Sequence, residues 1–358
     1  MAEDPRRAAT IYAVAARAGV STATVSRALA GSPKVAARTR DAVLEAAREL
    51  DYLPAAAARA LAGNRSNALG LVMPHIAGSY YAELLVGFEI AASRLGLSVV
   101  ITLANPRSDS RAAVRDLAAG VDGIAFMARS AAKDALITEI SGRLPVVTGA
   151  RAALEGTDAF FVENREPARL LTEHLIAAGR TRLAFVGHPE RGSDIGSRHR
   201  GFRDAMAAAD LEPGERFDVS PLEKDGFDVA DRLLKAGLPF DALVCGNDEL
   251  ALAVMQRLQD NGVSVPDDVA IVGWDDTVTA RYVRPGLTTV AQPVSRLGAM
   301  AAERLAQLID GGEPDTAPIT LPSTLVHRAS CGCSAPSELT TRTERTTPPE
   351  RTTPKEFS

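Results

Sequence analysis

Between Val20 and Gly31 the chain reads VSTATVSRALAG. Hydroxyls at Ser21, Thr22, Thr24 and Ser26 and one guanidinium, Arg27, fall on a single short predicted helix. A packed helix would carry more apolar residues there, and a solvated one more charge. The chemistry that suits this mixture is DNA recognition. Hydroxyls reach phosphates without clashing, arginine reads guanine in the major groove, and small side chains meet thymine methyls. Elsewhere the reactive residue types do not assemble along the chain. His75, His174, His188, His199 and His327 stand at no metal-binding spacing and in no triad context. No G-x-G-x-x-G follows a predicted strand and no G-x-x-x-x-G-K-[ST] occurs. These absences argue against an enzyme in general and an NAD-dependent one in particular, and no cofactor or metal is expected. Cys245, Cys331 and Cys333 are too few for a disulfide framework, and the Cys-x-Cys lacks the paired spacing of a zinc site.

The elements that must position Arg27 are three short helices. Thr10 caps a predicted helix over 11–18 with Ile11, Val14, Ala15 and Ala18 on one face, and Gly19 ends it. Ser21 caps a second running to Leu29, with Val25 and Leu29 inward. After a turn at GSPK, a third runs from about Ala36 to Leu50 with Val43, Ala46, Ala47 and Leu50 inward. Two helices joined by a Gly-containing turn, with a third behind, make a helix-turn-helix. Its second helix belongs in the major groove.

Beyond it, Pro54 stops the third helix, and the Ala-rich run to Ala62 has high helix propensity but is too short to be stable alone. From Leu69 the pattern changes to buried strands alternating with helices. ALGLVM, LSVVITLA, GIAFM, PVVTG, AFFVE, RLAFVG, ALVCG and VAIVGWD are strands; YAELLVGFEIAASRLG, ARLLTEHLIAAG, SRHRGFRDAMAAA and ELALAVMQRLQDNG are helices between them. Such alternation predicts parallel sheets covered on both faces, with too many units for one sheet. The expected fold is an all-α helix-turn-helix head plus an α/β body of two doubly wound parallel-sheet lobes. Ligands of such folds sit at the carboxyl ends of the strands. The Thr- and Pro-rich tail after Cys333 reads as disordered.

Charge supports the same division. Of the net −5, residues 1–66 hold ten Lys/Arg against six Asp/Glu, a balance of +4 that leaves −9 for the remainder. A basic head on an acidic body is the footprint of a nucleic-acid module. No run approaches the ~18–20 apolar residues of a membrane helix. The opening MAEDPRRAATIYAVAARAG makes a poor signal peptide, so no membrane association and a cytoplasmic location are expected. The same reading disfavours an extracytoplasmic solute-binding protein, which needs a signal peptide and no DNA head.

The order of these parts resembles the lac repressor (LacI/GalR) family of bacterial transcriptional regulators. The likeness rests on TIYAVAARAGVSTATVSRALAG, VAARTRDAVLEAARELDYLP, AAAARALAG, LGLVMP, SRHRGF, CGNDELALAVMQRLQDNGVSVPDDVAIVGWDD, PGLTTVAQP and HRAS, and spans residues 10 to about 331. It implies a body like periplasmic sugar-binding proteins and a small-molecule effector, a sugar or related metabolite, between the lobes. It implies a homodimer on a near-palindromic operator in double-stranded DNA, acting as a repressor, and a hinge helix that orders on DNA and enters the minor groove. The implied divisions are 1–53 for the DNA-binding domain, 54–67 for the hinge and linker, and 68–333 for the body. Lobe 1 would take about 68–163 and 292–322, lobe 2 about 164–291 and 323–333, and 334–358 the tail.

Carried over by position, Thr22, Ala23 and Arg27 read bases. Ser21, Thr24, Ser26, Thr10, Tyr12 and Thr39 face or support phosphate contacts, and Leu61 is the hinge leucine that wedges into the central base step. Arg198, Asn247, Asp275 and Gln292 match polar effector ligands, with Tyr80 and Tyr81 lining the first-lobe wall. Arg and Asp together suit vicinal hydroxyls. The chain departs from the family pattern at Ala13, where an acid is common, and at Ala55, where Asn often opens the hinge. It departs again at Ala150, which replaces the acid before Arg151, at Met127 in the pocket wall, and near Pro221, where an aromatic usually stacks on the effector.

Overall fold

The computed structural model describes residues 10–29, 32–52, 65–76, 78–104, 110–127, 130–151, 154–190, 193–315 and 317–333. Leu61 with the rest of the expected hinge helix, and the tail beyond Cys333, lie outside the described residues.

The head is three helices: α1 (Ile11–Ala18), α2 (Thr22–Leu29) and α3 (Ala37–Glu49). Thr10 caps α1 by accepting from the Ala13 N–H at 3.3 Å, and Gly19 leaves it at φ 67°, in the left-handed region that glycine adopts without a Cβ clash. Val14, Ala15, Val25, Val43, Ala46 and Ala47 form its core, joined by Ala28 and Val35, with Ile11, Ala18, Leu29 and Leu50 partly buried against them. An ion pair from Arg17 to Glu49 at 2.6 Å ties α1 to the end of α3.

The body holds two parallel sheets. The first contains β1 (Ala68–Met73), β2 (Ser98–Leu103), β3 (Gly123–Met127), β4 (Val146–Gly149), β5 (Asp158–Val162) and the late strand β11 (Ile319–Leu321), in the order β11-β5-β4-β3-β1-β2. α4 (Ser79–Arg94), α5 (Arg111–Gly120) and α6 (Asp134–Ser141) connect its strands. The second sheet, β7-β6-β8-β9, uses β6 (Leu183–Val186), β7 (Arg216–Phe217), β8 (Ala242–Cys245) and β9 (Ala270–Val272). Its helices are α7 (Arg165–Ala177), α8 (Asp194–Ala208), α9 (Glu223–Lys235) and α10 (Asp248–Asp260), followed by the short α11 (Val278–Tyr282). β10 (Thr289–Ala291) pairs antiparallel with β12 (Thr324–Val326), while α12 (Val294–Ile309) returns to pack on α4 of the first lobe. The chain thus crosses between lobes after β5, after β10 and between β11 and β12.

Two features hold these crossings in register. Asp248, fully buried at the start of α10, accepts from the Thr289 hydroxyl at 2.6 Å and from the Thr277 N–H at 2.8 Å. That joins α10, the loop after β9 and β10. In the first lobe Asp158 pairs with Arg304, fixing α12 to β5. One predicted strand differs from expectation. β2 is not buried on both faces: Val100, Ile101 and Leu103 are exposed. It is the sheet's edge strand, and among the described residues no strand pairs with its outer edge.

Candidate functional site

In the head, α2 presents Ala23 and Arg27 to solvent, with Thr22, Thr24 and Ser26 half-buried along its length. Arg27 enters no salt bridge among the described residues, whereas Arg17 and Arg48 are both paired with acids. Its fork is therefore uncommitted among the described residues. Ser21 sits one residue before α2; its hydroxyl accepts from the Thr24 N–H at 3.2 Å and contacts the Thr24 hydroxyl at 2.9 Å. These two hydroxyls first serve the helix start. They stand at the end of α2 whose free N–H groups favour an anion such as phosphate. Thr10 is exposed before α1, Tyr12 is exposed on it, and Thr39 is half-buried near the start of α3. Arg40 donates to the carbonyls of Ser32 and Val35, so it stiffens the turn before α3.

The second site is a cleft of about 700 Å³ between the lobes, at the carboxyl ends of the strands, a size suited to a small-molecule ligand. Tyr80, Tyr81, Arg198, Asn247 and Asp275 all line it. So do three of the departures, Met127, Ala150 and Pro221. Gln292 is not in the wall. It stands behind Asp275 and donates its side-chain amide to the carboxylate. The adjacent Asp276 is different: both its oxygens are held by arginines, Arg328 and Arg281, so it belongs to the frame and Asp275 to the cleft.

Arg198 comes from the first turns of α8 and is 6% exposed. Its Nε donates to Asn164 Oδ1 at 2.8 Å and one terminal nitrogen to the Gly246 carbonyl at 2.6 Å. The guanidinium lies 4.6 Å over the Trp274 ring. A cation fixed on an aromatic face and by two acceptors has little freedom left, which preorganises its remaining edge. Asn164, at one interlobe crossing, in turn donates to Asp194 Oδ1 at 3.1 Å. Asn247 caps α10 by accepting from the Leu250 N–H at 3.1 Å and donates to the Pro221 carbonyl at 3.2 Å. Its exposure to the cleft accompanies a structural duty.

Electrostatically the cleft gathers carboxyl groups whose charge burial disfavours. Burial pushes the Asp275 carboxyl up to about 7, against the opposing pull of Arg198. Burial raises Asp194 as well, with Arg198 again opposing, and raises the Tyr80 phenol, which stays a hydrogen-bond donor. Asp275 also has a backbone φ of 116°, outside the regions that ordinary residues favour, a strain of the kind found at ligand clamps. Tyr81 is wedged edge-on between His75 and Tyr80, with ring centroids 4.8 Å and 5.1 Å away. Asp194 and Asn164 had escaped the sequence reading. Asp194 lies four residues before Arg198 but outside the predicted helix SRHRGFRDAMAAA, which begins at Ser197, whereas the observed helix begins at Asp194; for Asn164 there was no signal.

Comparisons with known proteins match both the head and the body of the chain. The profile of bacterial regulatory proteins of the lacI family matches residues 10–55, and that of a periplasmic binding protein-like domain matches residues 172–331. Catabolite control protein A of Priestia megaterium is 31% identical over 90% of this chain and 98% of its own length. The HTH-type transcriptional regulator GalR of Escherichia coli strain K12 is 33% identical over 90% of this chain and 95% of its own. The crystal structure of the lac repressor dimer bound to operator and the anti-inducer ONPF superposes with a TM-score of 0.79 at 28% identity, covering 91% of this chain and 99% of that one. The transcriptional regulator CelR in complex with cellobiose gives 0.67 at 30% identity, over 90% and 99%.

Proposed function

The chain belongs to the lacI family of bacterial regulatory proteins, and from that premise we propose that it is a homodimeric repressor whose grip on a near-palindromic operator is set by a sugar or related polyol in the interlobe cleft. One observation carries the effector half: Asp275 and Arg198 converge from different elements on one cleft. A carboxylate and a guanidinium side by side accept from and donate to adjacent hydroxyls, which apolar ligands lack. The cellobiose bound by CelR is a ligand of that chemistry. Residues 1–53 form the DNA-binding domain, 54–67 the hinge, and 68–333 the body. In the operator complex Thr22, Ala23 and Arg27 read bases, Ser21, Thr24, Ser26, Thr10, Tyr12 and Thr39 support backbone contacts, and Leu61 of each subunit wedges the central step.

The edge of the first lobe supports the dimer. Val86 and Ile90 on α4 and Val100, Ile101 and Leu103 on β2 are exposed together, on a parallel sheet of a kind ordinarily covered on both faces. A second copy of the chain covers them. The relatives are transcriptional regulators, and this chain's role is likewise regulatory rather than enzymatic. Among the described residues no helix is long and apolar enough to cross a membrane.

The test has two arms. The full chain selects binding sites from a random DNA pool, with a near-palindromic consensus as the expected result. A thermal-shift panel of sugars and polyols then finds the ligand, and its effect on operator binding is read by fluorescence anisotropy. Failure to enrich any sequence overturns the regulator. A ligand response that survives in both Arg198→Ala and Asp275→Ala overturns the assignment of the cleft.

A further inference from the structure

The histidine spacings along the chain predict no metal site, yet the fold brings a histidine to the Cys-x-Cys from 157 residues away. His174 lies near the end of α7, half-buried on the second lobe. Cys331 ends the short 3-10 turn Ala329–Cys331 and is fully buried, and Cys333 follows it half-exposed. One ligand atom from each of the three lies within 4.8 Å of the others. His174 Nε2 and Cys331 Sγ are 3.3 Å apart. With bonds of about 2.0–2.1 Å to nitrogen and about 2.3 Å to sulfur, a tetrahedral zinc ion separates such a pair by roughly 3.6 Å. That contact is already close to one edge of a zinc tetrahedron. The remaining edges need Cys333 to draw in by about an ångström, and it sits at the solvent side of the group.

We propose that His174, Cys331 and Cys333 form a binding site for a zinc-class divalent cation that pins the Ala329–Cys333 segment to α7. The donor set is borderline-soft nitrogen and sulfur, which selects zinc over calcium and magnesium. The fourth position is left to water or to a side-chain movement of the neighbouring His327, which is not one of the three grouped ligands. The His327 ring centroid lies 4.3 Å from that of His174, and its buried Nδ1 has no hydrogen-bond partner among the described residues. Binding displaces the thiol protons of Cys331 and Cys333 to solvent and leaves two thiolates and a neutral imidazole on the ion. The half-exposed His174 and Cys333 give the ion a way in. None of the three residues lines the cleft, so the site acts on the body's architecture: it holds the segment that follows β12 against the second lobe.

Cobalt is the probe. The full chain is purified under reducing conditions, stripped with a chelator, and titrated anaerobically with Co²⁺. The expected result is tetrahedral d–d absorption together with a near-ultraviolet thiolate-to-cobalt charge-transfer band, both saturating at one equivalent and both abolished by one equivalent of Zn²⁺. His174→Ala should weaken Co²⁺ affinity by more than about tenfold. In the Cys331→Ser/Cys333→Ser double variant only Cys245 remains, and the charge-transfer band should vanish. Because those variants touch the packing, a second measurement uses the unaltered chain: one equivalent of Zn²⁺ should slow alkylation of Cys333 at least tenfold. No charge-transfer band in the unaltered chain, the same band in the double variant, or unchanged alkylation overturns the site.

Discussion

Arg27 stands exposed and unpaired by any described acid on the face of α2 that carries Ala23. It is the long donor there, and its planar fork matches guanine N7 and O6. Arg27→Ala should therefore cost about 1–3 kcal/mol at the operator and relax preference at one base pair per half-site, with a much smaller loss on random DNA. Both affinities are read at one salt concentration, since phosphate contacts make each salt-dependent. Equal losses on the two DNAs would take Arg27 out of base reading. Asp275 gives a second prediction. Its carboxyl titrates near 7 because burial disfavours the charge. A sugar hydroxyl donates to the ionised form, so binding releases a proton wherever the free site is protonated. Affinity should therefore rise as pH increases through about 7, and level off above it. Calorimetry at about pH 6 and about pH 8, with the sugar that the thermal-shift panel returns, reads this directly; Asp275→Asn should flatten the profile, and an affinity rising toward acid would refute it. The unliganded chain shows the opposite sign. Between about 4 and about 7 the folded state keeps a proton that the unfolded chain has lost, so Asp275 contributes less stability as pH rises through that window. Motif position was enough to bring Arg198, Asp275, Tyr80 and Tyr81 to one cleft. It could not show that Gln292 stands behind Asp275, nor that Asn164 holds Arg198, because those contacts span sequence distances with no local signature.

At the scale of elements, helix–helix spacing is set by residues that read as unremarkable in the chain. α4 and α12 approach so closely that glycine is needed on both. A Cβ built on Gly87 would lie 1.9 Å from the Ser295 carbonyl oxygen, and one on Gly298 would lie 2.1 Å from that of Leu84. Both neighbours are backbone and cannot rotate away. Gly298→Ala should push α12 off α4 and destabilise the body by about 1–3 kcal/mol, although alanine favours a helix. Urea unfolding measures it, and an unchanged midpoint would show that the two helices have slack. This is also where the sequence becomes hard to read. The head was legible nearly residue for residue, since its caps, its Gly19 exit and its 3.6-residue period are local signals. The long apolar strands were legible for the same reason. β7 is two residues long and β10 and β12 three each, too short for any period, and each exists because a neighbouring strand offers it hydrogen bonds. β2 shows the converse. Its composition promised two covered faces, but a strand's place in its sheet is a tertiary fact, and β2 ended at the edge.

The exposed edge matters most at the scale of the whole molecule. One head gives one half-site, and an eight-residue reading helix offers few base contacts. Two heads joined through their bodies make the second half-site an intramolecular event, so dimerisation sets operator affinity as strongly as any base contact. The surface proposed for this comprises the exposed apolar residues of α4 and β2. The tail is a poor candidate: from Ser334 to Ser358 its only large apolar residues are Leu339 and Phe357, and prolines interrupt it, so no a/d seam exists. A charge placed in the α4–β2 face should then split the dimer without touching the cleft or α2. Ile90→Asp is the informative change, because Ile90 is already exposed in the single chain and its loss leaves the lobe's own core intact. Sedimentation should show a dimer for the unaltered chain and for one ending at residue 333, and a monomer for Ile90→Asp at the same concentration. Operator affinity of that variant should fall by about 10²-fold or more, the scale of avidity lost when a second site is no longer tethered. Binding to a single half-site, weak in both, should not change. A dimer that persists in Ile90→Asp, or one that needs residues 334–358, would put the interface elsewhere.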